Sequence, residues 1–117
     1  MFRISLALAA ALMAVSVAIA SASTTATKLV GTDGPGFTIG LTKAGTKVKT
    51  LKPGKYTITI RDKSNIHNFH LTGPGLNKLT SVGYVGSKTW TVTLKKGVYK
   101  YVCDPHASIM KGSFRVS

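Results

Sequence analysis

Tyr99-Lys100-Tyr101-Val102-Cys103-Asp104-Pro105-His106-Ala107-Ser108-Ile109-Met110 joins two patterns. In its first half Tyr99, Tyr101 and Cys103 alternate with Lys100 and Val102. That two-residue period predicts a strand with one buried face. Its second half is a short loop of the form C-x2-H-x3-M, stiffened by Pro105. The alternation recurs elsewhere. Phe37, Ile39 and Leu41 share one side of a predicted strand, as do Tyr56, Ile58 and Ile60, then Trp90, Val92 and Leu94, and finally Phe114 and Val116. Thr, Val, Ile and Tyr supply the β preference. Gly34-Pro35-Gly36, Lys52-Pro53-Gly54-Lys55, Gly73-Pro74-Gly75 and Lys95-Lys96-Gly97 punctuate these runs as turns. No segment after Ala22 carries a helical period. Seven or eight short strands around one core predict an all-β sandwich or small barrel.

The start of the chain reads differently. Arg3 is followed by an almost wholly apolar run from Ile4 to Ala20, and Ala20-Ser21-Ala22 fits a cleavage point. Residues 1–22 are therefore expected to be a secretory signal peptide, leaving 23–117 as a single domain. A membrane anchor is the weaker alternative, because the run is at the lower limit for spanning a bilayer. The protein is expected in a periplasm or outside the cell. Residues 23–28 are expected to be a loose N-terminus.

The chain has 117 residues and 16 Lys+Arg against 3 Asp+Glu, a net charge of +13. Three carboxylates leave little for acid–base pairs or for an oxygen cage around calcium or magnesium. The single cysteine excludes an internal disulfide, although export usually favours one. A metal-bound thiol would explain it.

Two places carry the donors. One is the Cys103 loop, with Cys103, His106 and Met110; the other is Asn65–Leu71, read as a strand, with His67 and His70. Thiolate, imidazole and thioether together suit copper, and two His with one Cys and a weak axial Met form the blue-copper set. His67 shares the inward phase with Phe69 and Leu71, so it is chosen over His70 as the second histidine. His70 is read as a surface residue. A zinc pair of His67 and His70 is disfavoured, since the two point to opposite sides of a strand. Asp104 is read as a turn residue before Pro105.

The chain resembles the small blue copper proteins, the cupredoxins of the plastocyanin, amicyanin and pseudoazurin group. The resemblance runs from about Val30 to Val116. It is carried by His67-Asn68 and by Tyr99-Lys100-Tyr101-Val102-Cys103-x2-His106 leading into Met110-Lys111-Gly112. It implies a Greek-key β-sandwich of seven or eight strands holding one type 1 copper ion. His67, Cys103 and His106 would be the equatorial ligands and Met110 the axial one. Asn68 would brace the Cys103 loop. The three residues between His106 and Met110 depart from members with two or four.

The function implied is one-electron transfer, with copper delivery as the alternative. No enzyme activity is expected, and no catalytic residue is named. Pro105, Ala107, Ile109 and the Gly73–Gly75 turn are candidates for the rim around His106. The lysines are expected to give a solvated basic surface, or to steer the protein toward an acidic redox partner or, less strongly, an anionic membrane. Nucleic-acid binding is not expected, because the aromatics read as inward-facing. The chain is expected to be a monomer.

Overall fold

The computed structural model describes residues 10–18 and 25–117. Residues 10–18 form neither helix nor strand and are exposed. The rest of the expected signal peptide, with its cleavage point at Ala22, lies outside the described residues. Among the described residues no helix is long and apolar enough to cross a membrane.

From Thr27 onward the chain is built from ten strands: β1 (Thr27–Asp33), β2 (Ile39–Lys43), β3 (Thr46–Lys47), β4 (Thr50–Leu51), β5 (Gly54–Asp62), β6 (His70–Gly73), β7 (Leu76–Leu79), β8 (Gly86–Leu94), β9 (Gly97–Val102) and β10 (Lys111–Val116). They form two five-stranded sheets, ordered β3-β2-β1-β5-β8 and β4-β10-β9-β6-β7. This is the all-β sandwich expected from the alternation. Eight strands have four or more residues, and β3 and β4 are two-residue additions at the sheet edges.

Each inner face follows the period read from the sequence. Tyr56, Ile58 and Ile60 on β5 and Trp90, Val92 and Leu94 on β8 are buried, while their alternating neighbours are half-buried or exposed. Phe69 stacks on Tyr101, with ring centroids 5.5 Å apart, and Tyr99 stacks on Phe114 at 5.3 Å. Each fully buried Leu or Ile in this layer contributes about 1.5–3 kcal/mol through apolar burial.

Three expectations are corrected. β1 begins at Thr27, inside the segment expected to be loose, and pairs in parallel with β5 from Thr27↔Tyr56 to Asp33↔Asp62. Leu29, buried on that strand, supplies the anchor. Phe37 is not on β2 but precedes it, and its side chain is 56% exposed. The strand expected over Asn65–Leu71 starts only at His70. Just before it, the Asn68 amide points to the Cys103 sulfur and the Phe69 amide to the Thr80 hydroxyl, so neither joins a ladder.

Strand directions define two poles. β1 and β5 end at one pole, at Asp33 and Asp62; at the same pole β9 ends and β10 begins, flanking residues 103–110. The opposite pole carries the β9 start at Gly97, the β5 start at Gly54 and the end of β10. Nine residues of β5 place the poles about 25–30 Å apart.

Candidate metal centre

Residues 103–110 form a closed loop at the first pole. The Cys103 N–H donates to the Met110 carbonyl at 3.0 Å, which shuts the loop at its base. Asp104–His106 make one 3-10 turn with Pro105 in its first positions, and the His106 N–H donates back to the Cys103 carbonyl at 3.0 Å. The Met110 N–H in turn donates to the His106 carbonyl at 2.8 Å. Proline fixes φ and needs no donor there, so the turn is pre-organised. His106 is thereby folded back until its Nδ1 lies 3.5 Å from Cys103 Sγ.

His67 enters from the other segment, just ahead of β6. Its Nδ1 lies 3.1 Å from His106 Nδ1 and 3.7 Å from Cys103 Sγ. These three donor atoms form a nearly equilateral triangle, and a point equidistant from them lies about 2.0 Å from each, close to metal–imidazole and metal–thiolate bond lengths. Nδ1 is the His67 ring nitrogen turned toward the other two donors, and its Nε2 is buried with no hydrogen-bond partner. Cys103, His67 and Met110 are fully buried, and His106 is partly exposed. The structure thus brings together His67, Cys103 and His106, with Met110 at the closing end of the same loop. His70 stands apart from this triangle. The softness of the donor set and its spacing fit copper.

Asn68 ties the two donor segments together. Its Oδ1 accepts the Asp104 N–H at 2.8 Å, while its Nδ2 donates to Asp104 Oδ2 at 2.8 Å and to the Thr80 carbonyl at 3.1 Å. The Asn68 N–H lies 3.5 Å from Cys103 Sγ. This matches the bracing role that the resemblance implied. The clasp fixes the two donor segments against each other, and an N–H aimed at the sulfur stabilises negative charge on it.

Asp104 and His70 do more than the sequence suggested. The Asp104 carboxylate reaches out of its own loop to His70 Nδ1 at 2.9 Å, and His70 Nε2 lies 2.6 Å from Asn77 Oδ1. Burial pulls His70 down, but the bonds to Asp104 and Asn77 and the Asp104 charge outweigh it and raise its pKa. Burial pushes Asp104 up, but the bonds from His70 and Asn68 and the His70 charge leave it below the usual carboxylate range. His70 is half-buried and clamps the loop from outside.

Two further features escaped the sequence reading. Asp33 and Asp62 are both buried, side by side in the β1–β5 register. Asp62 accepts the Ser64 N–H at 3.2 Å and the Thr80 hydroxyl at 3.4 Å, which links it to the Asn68 clasp. Burial, contact with the Asp62 carboxyl and the Asp62 charge push Asp33 up to about 8. Both residues continue the inward phase of their strands, Leu29-Gly31-Asp33 and Ile58-Ile60-Asp62, and that phase was the available signal.

The second feature is Phe37. Its ring stands edge-on to His67 at 5.2 Å and to His106 at 5.0 Å. The turn that carries it needs Gly34, which has φ +71° and would place a Cβ 3.2 Å from the His67 ring. The Gly73-Pro74-Gly75 turn, expected at the rim, lies at the other pole. There Pro74 packs on Gly97 and its carbonyl accepts from the Tyr99 hydroxyl at 3.1 Å. The Gly34–Phe37 turn takes the rim position instead.

A family described as "Copper binding proteins, plastocyanin/azurin family" matches residues 41–117. Among solved structures, reduced rusticyanin is similar at 23% identity and a TM-score of 0.57, over 81% of each chain. Rusticyanin from Thiobacillus ferrooxidans is similar at 24% identity and a TM-score of 0.56, over 81% of this chain and 79% of that one. These likenesses bear on the fold. No curated protein matches the chain.

Proposed function

Since the chain belongs to the plastocyanin/azurin family of copper-binding proteins, we propose that it is a one-electron carrier with a single type 1 copper at His67, Cys103, His106 and Met110. The observation that carries this reading is the donor triangle, with sides of 3.1, 3.5 and 3.7 Å. When bound, copper supplies a one-electron couple between Cu(II) and Cu(I). The chain's own residues do the rest. Backbone bonds hold the 103–110 loop closed, and the Asn68 clasp holds His67 to it. A site held in this way rearranges little when its charge changes. Burial of Cys103, His67 and Met110 excludes water. Only His106 offers a partly exposed ring beside Phe37, with Pro105 and Ile109 exposed next to it. Electrons would enter and leave there.

The net charge of +13 favours an acidic redox partner through steering. The N-terminal pattern supports export, and a monomer suffices because one chain supplies all four donors. No reaction on a substrate is assigned.

The test is to add Cu(II) to the protein and record its visible spectrum and voltammogram. An intense thiolate-to-copper band, reversible one-electron behaviour and loss of the band in Cys103→Ala are expected. No band in the native protein, or the same band in Cys103→Ala, refutes the site. Tight Cu(I) binding without the band, with release to an acceptor, would instead favour copper delivery.

A further inference from the structure

The positive charge is unevenly placed. All three carboxylates, Asp33, Asp62 and Asp104, lie at the pole of the donor triangle. At the opposite pole the segment from Lys43 to Lys55 carries five exposed lysines, Lys43, Lys47, Lys49, Lys52 and Lys55, and no acidic side chain. Lys43, Lys52 and Lys55 line a groove of about 690 Å³, and a smaller one of about 360 Å³ continues past Lys47 and Lys49. Ser117 also lines the first groove.

The N-terminal segment arrives at this same pole. Thr25 and Thr27 line the larger groove, and β1 runs from there toward the donors. This pole lies away from the partly exposed His106 ring, so its lysines would not touch a redox partner docked there, and a cluster of lysines suits an anionic lipid surface. A nucleic-acid site would call for exposed aromatics among the lysines, and Tyr56, the one aromatic on the groove, is buried with its hydroxyl bonded to the Lys52 carbonyl at 2.6 Å.

We propose that the Lys43–Lys55 pole docks on anionic phospholipid, with the donor triangle facing away from the membrane about 25–30 Å above it. Docking stands on this charge placement and not on what the metal site does.

The experiment measures copper-loaded protein on vesicles of phosphatidylcholine alone and of phosphatidylcholine and phosphatidylglycerol in equal parts. Two variants with the same loss of charge are compared, Lys43→Gln/Lys52→Gln/Lys55→Gln at the groove and Lys78→Gln/Lys88→Gln/Lys100→Gln elsewhere. The native protein should bind the anionic vesicles far better than the neutral ones. The groove variant should lose about a hundredfold and the control less than about tenfold. An unchanged visible spectrum and melting curve check that each variant is folded and loaded. Equal losses in the two variants would show that only net charge matters and would overturn the proposal. Equal binding to neutral vesicles, unaffected by the groove variant, would assign attachment to something other than the lysines and also overturn it. Groove-dependent binding to soluble polyglutamate without binding to vesicles would reassign the pole to an acidic protein.

Discussion

Replacing Asp33 with asparagine should remove a pH-dependent weakness in the fold. In the folded protein the Asp33 carboxyl keeps its proton up to about pH 8, against an ordinary value of 3.8. The causes are burial, contact with the Asp62 carboxyl and its charge. Between those two values the folded state binds more protons than the unfolded state. Stability therefore falls as pH rises through this window, at a slope of up to about 1.4 kcal/mol per pH unit. Integrated over the window the ceiling is about 5–6 kcal/mol. The asparagine side chain has no charge to bury. In metal-free protein, urea midpoints for native and Asp33→Asn should converge near pH 4 and separate steadily toward pH 8. Metal-free protein is required because a bound ion adds its own linkage. The raised pKa of His70 weakens both proteins in the same direction with rising pH, so it cancels in the difference. Parallel stability curves across the range would refute the reasoning, as would a variant that loses ground as pH rises.

Other substitutions test the site and its supports. Asn68→Ala deletes three hydrogen bonds, two of them to Asp104, and should cost about 2–4 kcal/mol in thermal or urea melting of the metal-free protein. A loss under half that would mean the clasp is not holding the segments. Gly112→Ala would drive a Cβ into the Tyr101 ring and should destabilise by about 1–3 kcal/mol or more, measured as a lower urea midpoint. Phe37→Ala should change stability by less than about 1 kcal/mol, because the ring is mostly exposed, yet a copper chelator should extract the ion several-fold faster. Unchanged extraction would deny Phe37 its shielding role. His70→Ala should cost about 0.5–1 kcal/mol at most, since the partner Asp104 is well exposed. Its pair with Asp104 is present when His70 is protonated and fades as pH rises through its raised pKa, so the variant's deficit should shrink at alkaline pH.

Much of this was legible from residue order. Alternation in β5, β8, β9 and β10 gave the sandwich, and the inward phase of His67 separated it from His70. The Cys103 loop was legible because its donors are close in sequence and Pro105 shapes the turn. What escaped depended on partners distant in sequence. Asp104 reads as a turn residue until β6 brings His70 beside it, 34 positions away. Phe37 follows the period of β2, but Gly34 and Gly36 release it before the strand begins, so alternation misplaced it. Asp33 and Asp62 were in plain phase with buried residues, but their charge argued for the surface. Asp33, pushed up to about 8, sits there without its charge, which resolves that conflict.

The last strand has a consequence for when this protein comes into being. β10 pairs with β9 along its whole length and with β4 through Arg115 and Val116, 65 positions from their partners. Before β10 is in place the second sheet holds only β9, β6 and β7, without β4, and the Cys103 loop is anchored on one side only. Such long-range pairing also slows folding, because distant segments must meet before either is rewarded. The loop that carries Cys103, His106 and Met110 is thus closed only once β10 has paired, so the donor triangle is a late product of folding.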